Sequence, residues 1–419
     1  MHIELTTPPP PVGDPAAAPP VSPTGTVTLH QALAAALMLN PQLAAYAWET
    51  RIADARILQA GLLPNPELEA GIEGVGEEGG TMNFDDTETT IRLSQLLELG
   101  GQRGKRVRVA EIERTLADWD YTAKRLDVIA DTATAFVQLL AAQEQVALAE
   151  RLQVLSDAEW SIASERVKSG KAAPTEELQS RAVASAARLG VGRARRELEA
   201  ARVRLAATWG GRSAAFERGA GQLRLVEEVP PFEDLIRLLT QTPEVARWAT
   251  EMEHRRAVLA QANALGLPSL SLSVGATEYR ATGDRVYGLG LAVPLPVFDR
   301  NQGARREALL GEAQGAQARE AEEIRIRTAF SDAYQTLASA FEQARGLDNE
   351  VLPAAQAAFD AVNESYRVGK SGYFEVLSAQ RTLFEAEEQL LDALTSYHTT
   401  KFALERLLGQ GLSPVQAGE

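Results

Sequence analysis

The chain has 419 residues, enough for two or three ordinary domains. A formal charge of -15 with no long Lys/Arg stripe excludes a nucleic-acid partner; zero cysteines remove thiol nucleophiles, disulfides and Cys-ligated zinc, and the four histidines (His2, His30, His254, His398) have no ligand spacing. Apolar residues reach 45% but aromatics only 6%, and alanine carries much of the difference, which favours close-packed helices over one bulky-cored globule.

Residues 1–27 read as an extended Pro/Ala-rich segment. Pro8 to Pro11 stand where the apolar stretch of a signal peptide would have to be, leaving either a cytoplasmic protein or one whose signal has been removed. No run of 18 apolar residues predicts a transmembrane helix. Thr28 is an expected N-cap for a helix over Leu29 to Leu39, and Pro41 can start a second helix reaching about Ala60. From Gly61 to about Gly101 the helical period disappears.

A long helical territory follows, from roughly Gln102 to Val167. In it Val109, Ile112, Leu116, Trp119, Ala123, Leu126, Ala130, Ala133, Val137 and Leu140 recur at spacings of three and four, a coiled-coil seam. At 1.5 Å per residue this predicts a rod of roughly 100 Å. A break at Ser169 to Pro174 precedes a helix from Thr175 to about Trp209, ended by Gly210 and Gly211. Trp119, Trp160 and Trp209 fall at helical positions, as packing anchors.

The same order then recurs. A short helix at Phe232 to Leu239 leads through Pro243 to one ending near Leu265; the Gly/Ser-rich stretch Gly266 to Gly303, a helical territory from about Ala304 to Val368, a break at Gly369 to Gly372 and a last helix over Tyr373 to Leu408 follow. Pro64 matches Pro268, Gln102 matches Gln302 and Gly170 matches Gly369, at offsets of 204, 200 and 199. The expected organisation is therefore two repeats, 28–211 and 212–410, with a tail at 411–419. Each repeat holds a β-hairpin, about 66–96 and about 268–295, and a helical hairpin turning at 168–174 and 369–372.

Both hairpins alternate. Leu270, Leu272, Val274 and Ala276 interleave with Ser271, Ser273 and Gly275, and after a turn at Thr282–Asp284, Tyr287, Leu289, Leu291 and Val293 interleave with Gly288, Gly290 and Ala292. In the first repeat Leu68, Ala70, Ile72, Ile91 and Leu93 would share an apolar face, opposite Glu67, Glu69, Glu73, Glu88 and Arg92. Periodicity alone admits an ordinary sheet packed on helices. Rods this long leave little globular body to cover, which favours a lipid-facing sheet. Lipid forbids open sheet edges, so four strands would need other copies to close, and three copies would supply twelve.

The run Leu295-Pro296-Val297-Phe298-Asp299-Arg300-Asn301-Gln302-Gly303, its counterpart Leu96-Leu97-Glu98-Leu99-Gly100-Gly101-Gln102-Arg103, and Tyr366-Arg367-Val368-Gly369-Lys370-Ser371-Gly372-Tyr373-Phe374-Glu375-Val376-Leu377 resemble the TolC-like outer membrane factors, within them the CzcC-like heavy-metal efflux branch. The resemblance spans roughly residues 26–410. It implies a fold that is mainly α with membrane β: a trimeric twelve-stranded outer membrane β-barrel continuous with a twelve-helix periplasmic α-barrel, four strands per protomer. It further implies a homotrimer in outer membrane lipid, a periplasmic adaptor protein, an inner membrane RND pump reached through it, no cofactor and no catalytic or metal-binding residues.

By the same resemblance, Tyr366 and Glu375 belong to a gate at the periplasmic end, helped by Arg367 and Lys370, while Arg166, Lys168, Gly170 and Gly369 belong to adaptor docking grooves. Glu67, Glu69, Glu73, Glu88 and Arg92 would line the lumen. Ser378 stands where the family places a second gate carboxylate and Ser371 where it places a linking Arg, so a single acidic ring from Glu375 is expected. A multidrug or type I secretion channel is the alternative within this class. A soluble coiled-coil scaffold or adaptor is the alternative outside it.

Overall fold

A computed structural model describes residues 22–78 and 81–412. The first 21 residues of the expected N-terminal segment, residues 79–80 of the first hairpin and tail residues 413–419 lie outside the described residues.

Strand β1 (Gly25–Thr28) runs into helix α1 (Leu29–Leu39), where Thr28 Oγ1 accepts from the Gln31 amide at 3.3 Å and Gln31 Oε1 accepts from the Thr28 amide at 3.0 Å. The expected cap is thus a full capping box. Asn40 then starts α2 (Pro41–Gly61): its Oδ1 accepts from the Leu43 amide at 2.9 Å. Strands β2 (Glu67–Glu73), β3 (Gly76–Glu78), β4 (Thr81–Asn83) and β5 (Glu88–Leu97) follow. The short β3–β4 ladder extends the first hairpin beyond the two strands its alternation predicts.

The long helix α3 (Gln102–Lys168) is continuous over 67 residues. Eight of the ten seam residues are buried; Trp119 and Ala123 are half-buried. Helix α4 (Pro174–Ala207) starts at Pro174, which occupies the first turn where its missing N–H costs nothing, and stops short of Trp209. That Trp packs on Phe216 at 5.9 Å between ring centres.

Strand β6 (Phe216–Ala220) pairs in parallel with β1, a two-stranded sheet that nothing in the hydrophobic pattern announces. Gln143 of α3 holds it in place, donating from Nε2 to the Gly219 carbonyl at 3.1 Å and accepting from its amide at 2.7 Å. Helices α5 (Phe232–Leu238) and α6 (Pro243–Leu265) lead to β7 (Leu270–Tyr279) and β8 (Arg285–Ala292).

Sequence periodicity predicts one helical territory over 304–368; the structure divides it. Helix α7 (Gln302–Gly346) passes through a π-helical turn at Leu347–Val351 into α8 (Leu352–Arg367). Pro353 sits in the first turn of α8, and its missing donor breaks the regular ladder there. Helix α9 (Tyr373–Leu408) is the last helix among the described residues and ends at Gly409 in the left-handed region.

Two compact units emerge. One comprises the described parts of Met1–Ala47, Asp120–Val245 and Glu323–Glu419; the other comprises Trp48–Trp119 and Ala246–Glu322. The first is helical apart from β1 and β6. Its cores centre on Leu139, Leu205 and Phe216; on Ile326, Phe330 and Leu404; and on Phe359, Tyr366, Tyr373 and Val376.

The second unit holds an antiparallel four-stranded sheet in the order β2-β5-β7-β8. Its register aligns Leu68 with Leu93, Leu93 with Val274 and Val274 with Leu289, so these share one face. The next row, Glu69, Arg92, Gly275 and Gly288, shares the other. Among the described residues no helix is long and apolar enough to cross a membrane.

Candidate functional site

The two helical-hairpin turns lie in the first unit and close by the same device. Gly170 and Gly369 adopt φ of 72° and 80°, conformations that glycine enters without a Cβ penalty. Lys171 N donates to Arg166 O at 2.8 Å and Gly170 N to Val167 O at 3.0 Å; Lys370 N donates to Ser365 O at 2.9 Å and Gly369 N to Tyr366 O at 3.0 Å. Both are Schellman closures, which satisfy the last carbonyls of α3 and α8.

Around these turns the expected gate and docking residues divide by exposure. Arg367, Lys370, Lys168, Gly170 and Gly369 are exposed, as is Glu375 in the first turn of α9. Tyr366 is 1% exposed, packed against Tyr373 at 6.1 Å between ring centres. Its hydroxyl lies 3.5 Å from Glu176 Oε2 of α4. Burial, and then the neighbouring Glu176, push the Tyr366 hydroxyl above its usual pKa. Arg166, expected in an adaptor docking groove, is half-buried and turned inward onto Tyr366. Ser371 bonds Ser365 across its own turn at 2.7 Å.

Sequence reasoning missed the polar groups beneath this surface. Gln380 of α9 donates to Ser156 of α3 at 3.3 Å, both buried. Glu159 is 3% exposed, and among the described residues neither of its carboxylate oxygens has a hydrogen-bond partner. The signal was present in the spacing: Leu155, Glu159, Ile162 and Arg166 step by four, three and four along one face of α3. A charged residue in such a row is normally assigned to solvent; Glu159 drew no expectation, and Arg166 was expected only in an adaptor docking groove.

In the second unit the five charged residues expected to line the lumen fall on one face, while Glu278 of β7 and Arg285 of β8 pair at 3.5 Å at one end of the other. Glu67 stands opposite Ser94, Glu69 opposite Arg92 and Glu73 opposite Glu88. Arg92 Nη1 reaches Glu69 Oε2 at 3.2 Å, an exposed pair of little energetic weight. The opposite face carries Leu68, Ile72, Ile91, Leu289 and Leu291, all exposed, Leu289 by 86%. A contiguous apolar face of this kind marks a surface that something other than water covers. Among the described residues nothing pairs with the outer side of either edge strand, β2 or β8.

An apolar face, a charged face and two open edges describe a segment of a membrane barrel. The chain matches the family described as "Outer membrane efflux protein" over residues 32–211 and 235–410. It is 32% identical over 386 residues to the cobalt-zinc-cadmium resistance protein CzcC of Cupriavidus metallidurans, covering 92% of this chain and 91% of that protein. It is 26% identical over 413 residues to the pyoverdine export outer membrane protein OpmQ of Pseudomonas putida, covering 91% of this chain and 86% of that protein. The solved outer-membrane channel OprN superposes with a TM-score of 0.78 at 20% identity, covering 92% of this chain and 91% of that one. The expected fold, mainly α with membrane β, is that of these channels. The chain therefore belongs to the outer membrane efflux protein family, the TolC-like channels that span the bacterial outer membrane and extend into the periplasm.

Proposed function

We propose that this channel is a homotrimer that passively conducts heavy-metal cations, delivered by an inner membrane RND pump through a periplasmic adaptor. The coarser statement, an outer membrane channel of a tripartite efflux system with no bond chemistry of its own, follows from family membership. One observation carries the trimer: a four-stranded sheet with an exposed apolar face and two unpaired edges must close with other copies before lipid can surround it. Three copies bring twelve strands, and the paired repeats 28–211 and 212–410 bring twelve helix passes.

The charged face of Glu67, Glu69, Glu73, Glu88 and Arg92 then lines the lumen, because charges against hydrocarbon cost several kcal/mol while water in the pore costs nothing. The turns at 168–174 and 369–372 form the periplasmic gate, with Glu375 supplying an acidic ring beside Tyr366, Arg367 and Lys370. Adaptor docking uses Lys168, Gly170 and Gly369, with Arg166 supporting that surface from within.

Similarity to the cobalt-zinc-cadmium resistance protein supports metal cations as the cargo. With no Cys and four Met, soft-metal selection by direct ligation would rest with the pump. Expressing this chain in a bacterium whose own outer membrane component of such a resistance system is deleted tests the assignment. Restored growth on cobalt, zinc and cadmium is expected; restored export of organic compounds or siderophore alone would replace it with the multidrug reading. In single-channel recordings Glu375→Ala should reduce cation preference, and an unchanged preference would remove Glu375 from the gate.

A further inference from the structure

A carboxyl group is costly in a helix–helix seam, because taking a charge out of water without a partner is not repaid by packing. Glu159 occupies such a position in α3, on the face carrying Leu155 and Ile162, which pack on the cluster of Phe359, Tyr366, Tyr373 and Val376. It lies one turn from the Ser156–Gln380 contact and two turns before Arg166. The groups around it are identifiable from every packed element. Its own helix offers Arg166, committed to the Tyr366 carbonyl. Helix α4 offers Glu176, beside the Tyr366 hydroxyl, and Glu177, which accepts from Ser164 at 2.9 Å. Helix α8 offers Tyr366, and α9 offers Tyr373, whose buried hydroxyl also has no partner among the described residues.

We propose that Glu159 is a proton-dependent latch between the α3–α4 and α8–α9 hairpin tips: protonated, it lets them stay packed; ionised, it drives them apart. The latch rests on the reading of these turns as the gate. Burial pushes the Glu159 carboxyl from the ordinary 4.5 up to about 7. The packed seam therefore holds a proton that the open one releases, so its stability is greatest in acid and falls as pH rises from about 4.5 through 7. Between pH 5 and pH 8 the packed-to-open ratio should fall on the order of a hundredfold.

The test uses the full-length channel, with two readouts across pH 5 to 8.5: open probability in planar bilayers, and hydrogen-exchange protection of the first turns of α9. In the wild type, opening should rise and protection fall together as pH rises, and both changes should depend on Glu159. Glu159→Gln, a permanent stand-in for the neutral acid, should stay protected and closed throughout. Glu159→Met, which removes the acid, should behave alike where Gln packs poorly. A wild type without this transition, or variants that keep it at the same midpoint, would overturn the latch. A transition in protection that depends on Glu159 while conductance stays constant would uphold the latch and reject the gate.

Discussion

Arg166 donates from Nη1 to the carbonyl of Tyr366 at 2.7 Å while its guanidinium lies 4.4 Å from the centre of that residue's ring. The carbonyl belongs to the last turn of α8 and already accepts from the Gly369 amide at 3.0 Å. A cation from α3 thus sits at the negative end of α8, where the helix dipole favours it. The two contacts join hairpin tips that are 200 residues apart in sequence.

Removing this side chain should loosen the second tip locally. A charge-assisted hydrogen bond and a cation–π contact together suggest a cost of about 2 kcal/mol for Arg166→Ala. That corresponds to roughly 30-fold faster exchange of the Gly369 and Lys370 amides, with Arg166→Lys intermediate because ammonium keeps the charge without the planar fork. Unchanged exchange at both amides would mean that the Schellman closure alone holds the turn.

Neighbouring strand residues should respond oppositely to the same charge. Leu289 and Gly288 are adjacent in β8 and face opposite sides of the sheet; a Cβ on Gly288 would meet nothing within 4 Å. Leu289→Lys should cost about 2–4 kcal/mol near the bilayer midplane and lower the yield of outer membrane oligomer, whereas Gly288→Lys should assemble normally. Equal yields from the two variants would contradict the assignment of faces.

This division of faces is legible in the sequence, because a strand's side chains alternate and the apolar set chose one parity in all four strands. Thr28, Pro41, Gly170 and Gly369 were legible for a similar reason: each does something local that its residue type is suited to. What escaped depended on partners distant in sequence. Strands β1 and β6 are four and five residues long and pair across about 190 positions, too short for any alternation to register. Pro353 was visible but its effect was absorbed by a single π-helical turn, so the helical period survived around it. Glu159 drew no expectation and Arg166 was placed in a docking groove by resemblance, although both fall on the apolar spacing of α3.

The small parallel sheet offers a third check. Gln143 satisfies both the amide and the carbonyl of Gly219, and replacing it by Ala would leave both groups short of a partner in a half-buried site. A cost of about 1–3 kcal/mol is expected. Limited proteolysis of the segment after α4 reports it directly: Gln143→Ala should be cut faster than wild type, Gln143→Glu also, since a carboxylate cannot donate to the carbonyl. Cleavage at the wild-type rate in both would show that backbone pairing with β1 suffices.

Acid should act in opposite senses at two places in the helical unit. His398 of α9 bonds the Leu223 carbonyl through Nε2 at 2.8 Å, so this nitrogen carries the proton in the neutral ring. Burial lowers the His398 pKa below 6.5, with Lys401 adding to the shift against the opposing effect of the Leu223 bond. A depressed histidine resists protonation in the folded state, so its contribution is intact above 6.5 and is lost as pH falls below that value. The contact it supports includes Tyr397, whose hydroxyl donates to the Glu227 carbonyl at 2.8 Å, and Lys401, paired with Glu227 at 2.6 Å. Acidifying from pH 7.5 to 5 should therefore weaken hydrogen-exchange protection over residues 223–229 while the tip around Glu159 becomes better protected. His398→Gln, whose amide can still donate to Leu223, should abolish only the first change. If both regions shift in the same direction, the response is global and neither residue governs it.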